Sequence, residues 1–162
     1  MNDNSLLSVQ NLKVHFPLKR KFLIGKRSVV HAVDGVNLNI RRGTTFGIVG
    51  ESGSGKTTTA LAVMRLVPIT AGTIDLNGIQ IHQLENDDLR QVRQHMQIIF
   101  QDPYSSLNPR VRAGAIIREP MDLMNVGDVS ERDDEVKRLM SAVGLRAEQR
   151  ALFPHQFSGG QR

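Results

Sequence analysis

Residues 50–57 read Gly-Glu-Ser-Gly-Ser-Gly-Lys-Thr. Gly50, Gly53 and Gly55 allow a backbone bent tightly enough for successive N–H groups to converge on one point. Lys56 adds a full positive charge beside them, and Thr57 adds a hydroxyl. Converging amides, one cation and one hydroxyl suit a polyphosphate carrying a divalent ion. The amides hold phosphate oxygens, Lys56 neutralises the β- and γ-phosphates, and Thr57 ligates Mg²⁺. Glu51, Ser52, Ser54 and Thr58 complete the candidate nucleotide-binding set. Chance produces such a pattern in about 0.5% of chains of this length, so nucleotide binding outweighs an incidental glycine turn.

The loop needs a strand before it and a helix after it. "TTFGIVG" (44–50) is a compact apolar run closed by glycine, as in a strand buried on both faces. Residues 55–67 carry a helical pattern whose positive N-terminal end favours an anion. Leu12, Val14 and Phe16 alternate on one face of a half-buried strand within 6–16. "VVHAV" (29–33) and "VNLNI" (36–40) read as two short strands, with Asp34-Gly35 as a hairpin turn between them. "GTIDLNG" (72–78) reads as a strand, 87–96 as a helix and 96–100 as a further buried strand. Pro103, Asn108 and Pro109 mark a loop, and a helix follows from about Val111, disturbed at Pro120. Ser130 with Asp133 resembles a capping box. Behind it Val136, Leu139, Met140 and Val143 share a helix face that Gly144 ends. Strands alternate with helices, which defines an α/β class.

Composition narrows the function classes. The 162 residues suffice for one domain, and none of the apolar runs approaches the eighteen or so residues of a membrane span. The first ten residues have neither the basic nor the apolar region of a secretory signal. No cysteine is present, so there is no disulfide framework and no thiolate metal site. Lys19, Arg20, Lys21, Lys26 and Arg27 account for the whole net charge of +5. That basicity is one local stretch with Phe22 as its lone aromatic, which argues against nucleic acid. The five histidines show no i, i+4 ligand spacing and read as ordinary surface or satisfied residues.

Two further stretches narrow the class of nucleotide enzyme. "IIFQDPYSSLNPR" (98–110) lies some forty-five residues after the lysine, and "FSGGQR" occupies 157–162. In this order and spacing, the whole chain resembles the first two-thirds of an ABC-type ATPase domain, with the two stretches as its Q-loop and signature motif. "AVDGVNLNI", "DPYSSLNPR" and the basic insertion after the first strand resemble the oligopeptide/dipeptide importer branch.

The resemblance implies an α/β fold: a P-loop NTPase core with an N-terminal antiparallel β subdomain and a helical subdomain. It divides the chain into N-terminal strands and basic insertion (1–49), P-loop core (50–100), Q-loop and helical subdomain (101–157) and the start of the signature (158–162). It implies ATP and Mg²⁺ as cofactors and ATP hydrolysis as the activity, with Lys56 and Gln101 in catalytic roles. Gln101 would reach the Mg²⁺ and the attacking water, and Phe16 would stack on adenine, against the plain alternative of a core phenylalanine. Ser158, Gly159, Gly160 and Gln161 would bind the γ-phosphate held by a second ATPase subunit, in a head-to-tail dimer. Phe157 stands where the family has leucine, a position that packs rather than touches phosphate.

Membrane permease subunits and, indirectly, a solute-binding protein are the implied partners, at the cytoplasmic face of the inner membrane. The resemblance also implies a further strand ending in Asp-Glu and a switch histidine beyond Arg162, so the chain reads as part of a longer protein. Without that strand, Phe46, Ile48 and Val49 would border an unpaired edge. Residues 1–162 alone are then expected to be poorly soluble or partly molten, with weak nucleotide affinity and no turnover above background, unless Glu51 or Asp102 supplied the carboxylate. Two other readings compete. A DNA-repair or chromosome-maintenance ATPase shares both motifs but inserts coiled coils or zinc modules between them, and neither heptads nor cysteines occur here. A nucleotide-binding regulatory module that never hydrolyses is the second.

Overall fold

The computed structural model describes residues 4–18, 28–102 and 106–162. Pro103, Tyr104 and Ser105 of the Q-loop stretch, and the basic residues 19–27, lie outside them. The chain forms two compact units, residues 1–97 and 98–162.

The first unit is built on a four-stranded antiparallel sheet in the order β2-β1-β3-β4. Its strands are β1 (Ser5–Pro17), β2 (Val29–Arg41), β3 (Ala71–Leu76) and β4 (Ile79–Gln80). β1 is central, paired with β2 on one side and β3 on the other. Leu7, Val9, Leu12 and Val14 point from β1 into the core, where they meet Val33, Ile74, Ile81 and Ala62. Strict alternation would place Val9 and Leu12 on opposite faces. The register shift between them, with Asn11 at φ 47°, brings both inward. α1 (Lys56–Val63) contributes Ala62 to this core, and α2 (Asn86–Arg93) contributes Val92.

Asp34-Gly35 is not a hairpin turn. Residues 29–41 form one strand that pairs along its length with β1. Gly35, at φ 82°, spends its left-handed conformation on the register shift opposite Leu12 and Lys13, next to Asn11. Asn37 bridges the two: its Oδ1 accepts from the Asn11 amide at 2.8 Å and its amide group donates to the Gly35 carbonyl at 3.1 Å. A glycine that permits a turn permits a bulge equally well, and local sequence does not choose between them.

The expected strands 44–50 and 96–100 also differ from the structure. Neither segment belongs to a strand among the described residues. Val49 and Ile99 are 92% and 94% exposed. Apolar content reports a tendency to be covered, but a strand exists only when another pairs with it, and pairing is not local.

The second unit packs α3 (Ala113–Met124) against α4 (Arg132–Ala142), with 3₁₀ turns at Ala147–Ala151 and Pro154–Gln156. Pro120 lies inside α3 without ending it, and Asn125 at φ 52° closes the helix. Val136 and Met140 are buried as the helical spacing requires, whereas Val143 is exposed. The expected capping box at Ser130 does not form. The Ser130 hydroxyl donates to Asp128 Oδ1 at 2.6 Å, and Glu131 takes the N-cap position. Arg132 is buried and fully engaged, donating to Asp122 at 2.8 Å and to the carbonyls of Val126 and Gly127 at 3.0 and 3.3 Å.

Candidate nucleotide site

Residues 50–58 form a loop that runs into α1. Gly55 is the N-cap, at φ 89°, and helical geometry starts at Lys56. A Cβ at Gly55 would lie 2.4 Å from the Ala32 carbonyl oxygen of β2, so only glycine lets the loop seat against this strand. Thr59, buried, fixes the first turn: its hydroxyl and amide both donate to the Gly55 carbonyl, at 3.0 and 2.8 Å. The amides of Gly55, Lys56, Thr57 and Thr58 then precede every carbonyl of their own helix that could accept from them. They are the donor set an anion would use.

Lys56 curls back across the loop. Its ammonium donates to the carbonyls of Gly50 at 2.8 Å and Glu51 at 2.6 Å, and approaches Ser54 Oγ at 3.4 Å. The charge is therefore held against the loop's own carbonyls, on contacts that phosphate oxygens would replace. Thr57 is exposed on the same turn, with its hydroxyl available to a divalent ion. Ser52, Gly53 and Glu51 form the exposed outer rim.

The far end of α1 is tied down as firmly. Arg93 of α2 donates to the carbonyls of Met64 at 3.3 Å and Arg65 at 2.6 Å. Arg65 in turn donates to the carbonyls of His82 at 2.5 Å and Leu84 at 3.2 Å. Guanidinium groups at a helix C-terminus satisfy its orphan carbonyls and complement its dipole. Nothing in the motif itself announced this support.

Phe16 lies near the end of β1, opposite Val30, and is 36% exposed. It is therefore only partly covered. Gln101 is exposed and belongs to the second unit, as do Ser158, Gly159, Gly160 and Gln161. The P-loop residues are thus brought together within one unit, whereas Gln101 and the signature residues stand in the other.

The signature residues form a turn of defined shape. Gln161 Oε1 accepts from the Ser158 amide at 3.1 Å, while the amides of Gln161 and Arg162 donate to the Ser158 carbonyl at 3.1 and 3.2 Å. Two preceding turns use the same device: Gln149 accepts from the Arg146 amide and Gln156 from the Phe153 amide, both at 2.8 Å. A glutamine three residues on, folded back to the first amide, is half of a helix-capping arrangement. The amides of Gly159 and Gly160 stand in the first turn, ahead of any carbonyl of that turn that could accept from them. Phe157 is buried, in a cleft of about 230 Å³ with Leu107, Ile116 and Leu145. It packs, as its place in the motif implied.

A glycine loop over a helix N-terminus, backed by an antiparallel sheet, forms a P-loop type of nucleotide site. Comparison with known proteins agrees. The family model described as ABC transporter matches residues 33–162. The oligopeptide transport ATP-binding protein AppF of Bacillus subtilis is 41% identical over 162 residues, covering 99% of this chain and 49% of that protein. The glutathione import ATP-binding protein GsiA of Pectobacterium atrosepticum is 43% identical over 157 residues, covering 97% of this chain and 25% of that protein. Among solved structures, a dimeric post-hydrolysis state of an ATP-binding cassette bound to ADP and phosphate superposes with a TM-score of 0.78 at 26% identity. It covers 96% of this chain and 64% of that one. A Clostridium perfringens protein described as part of the cbiONQ ABC transporter complex shares the fold, with a TM-score of 0.70 at 22% identity over 98% of this chain and 58% of that one.

The chain belongs to the ABC transporter family. It spans about half the length of the Bacillus subtilis relative. Among the described residues, no helix is long and apolar enough to cross a membrane.

Proposed function

We propose that these residues are the nucleotide-binding part of an ATP-driven importer of peptides or similar small solutes. The observation that carries this reading is the cradle at 50–58, where outward amides, Lys56 and Thr57 meet on one helix turn. The donor set fits Mg·ATP. Gly55, Lys56, Thr57 and Thr58 amides would hold phosphate oxygens, Lys56 would leave the Gly50 and Glu51 carbonyls for the β- and γ-phosphates, and Phe16 would stack on the base. Mg²⁺, ligated by Thr57 and approached by Gln101, would neutralise charge developing on the phosphates. The peptide class rests on the relatives, whose names speak of oligopeptide and glutathione import.

Ser158, Gly159, Gly160 and Gln161 act on the nucleotide of a second ATPase subunit, in a head-to-tail pair. First-turn amides suit an anion, and Gln161 is already committed to capping the turn. Membrane permease subunits meet the pair through the region around Gln101, at the cytoplasmic face, with a solute-binding protein delivering the cargo.

The test uses the complete protein, with ATP binding, dimerisation by light scattering and phosphate release measured together. Ser158→Arg is expected to leave ATP binding by the monomer nearly unchanged and to abolish ATP-driven dimerisation and turnover. Loss of monomer binding would place Ser158 at its own P-loop and end the head-to-tail reading.

A further inference from the structure

His15 of β1 and His31 of β2 are 16 positions apart in sequence but directly opposite in strand register. Their rings lie 4.0 Å apart, centroid to centroid. Asp34, three residues beyond His31, turns its carboxylate toward both. His15 Nε2 is 3.4 Å from one carboxylate oxygen and His31 Nδ1 is 3.6 Å from the other. One ligand atom from each of the three side chains lies within 4.8 Å of the other two.

We propose that His15, His31 and Asp34 form a binding site for a divalent transition metal of the zinc, nickel and copper class, apart from the nucleotide cradle. Two imidazoles and a carboxylate are the donors such ions prefer over calcium or magnesium. Donors bonded at 2.0–2.2 Å to a tetrahedral ion stand about 3.3–3.6 Å apart; each imidazole nitrogen is at that distance from one of the two Asp34 oxygens, and small side-chain rotations would close the three-donor set, already within 4.8 Å, around one ion. The donors are mounted on two paired strands, and the His15 amide is further fixed by a bond to Thr70 Oγ1 at 2.9 Å. His31 and Asp34 are about half exposed, which leaves room for water in the remaining coordination position.

One group competes. The Lys13 ammonium is 3.3 Å from the same Asp34 oxygen that faces His15. Lys13 is therefore a stand-in cation, which an incoming metal has to displace.

The experiment titrates the tag-free, chelator-stripped chain with zinc against a fluorescent zinc indicator, in millimolar Mg²⁺ to mask oxygen-only sites. One equivalent is expected to bind. His31→Gln and Asp34→Asn, both at exposed side chains, should each weaken it about tenfold or more, with circular dichroism confirming the fold. Lys13→Met, which keeps the stem and removes the charge, should tighten binding several-fold. Lys56→Ala should leave uptake unchanged, so failure of the nucleotide reading and of this one are distinguishable. Zinc affinity unaltered by His31→Gln and Asp34→Asn would overturn the site, as would uptake that follows His82, His95 or His155 instead.

Discussion

Gly55 links the nucleotide loop to the sheet. Its left-handed φ already disfavours a side chain by about 1–2 kcal/mol, and an added Cβ would overlap the Ala32 carbonyl at 2.4 Å. Gly53 shares the first condition, at φ 81°, but has nothing within 4 Å. Gly53→Ala should therefore cost only the conformational part, whereas Gly55→Ala should cost at least about 1 kcal/mol more through overlap. Urea unfolding of the two variants measures the difference; equal losses would mean the loop does not rest on β2. The motif announced the glycines, but only the structure separates one that must bend from one that must also approach. His15 and His31 make the converse point. No helical spacing relates them, and their meeting depends on a β1–β2 register that shifts four times. The signal was their presence on two neighbouring strands, but pairing alone could not place Asp34 beside them.

At the scale of elements, the second unit offers a pH-dependent test. The Arg132 guanidinium beside Asp122 holds its carboxyl below the ordinary value of 3.8, and Arg118 adds to the effect. A depressed carboxyl stabilises the fold above its unfolded-state value and loses that contribution as pH falls through the lower folded-state value. Thermal melts should thus drop more steeply below pH 4 in the parent than in Asp122→Asn, and parallel curves would deny the link. Met140→Ala, at a position with no exposure, should cost about 2–5 kcal/mol, read by denaturant unfolding; a near-zero loss would show that α3 and α4 do not share a packed core. The sequence was most legible where the pattern was local and long. α1, β1, β3 and the Val136–Met140 face of α4 follow from periodicity. The continuous β2, the absent capping box at Ser130 and the unpaired 44–50 and 96–100 do not, because a bulge, a competing Asp128 and strand pairing are set by residues far away or by choices between near-equal local bonds.

At the scale of the whole molecule, two segments present Phe46, Ile48, Val49, Ile99 and Phe100 to solvent, on main chain that belongs to no strand among the described residues. Apolar backbone of this kind recruits other chains. The 162-residue chain is expected to self-associate with rising concentration and to bind the dye ANS. A monodisperse monomer without dye binding would mean that these segments are covered. The central claim, that residues 50–58 hold a nucleotide, has a more direct test. Mg·ATP is titrated against the chain and against Lys56→Ala, with affinity read by calorimetry. Loss of one charge-assisted contact to phosphate is worth about 1.5–3 kcal/mol, so the variant should bind some ten- to a hundredfold more weakly. Equal affinity of parent and variant would contradict the account.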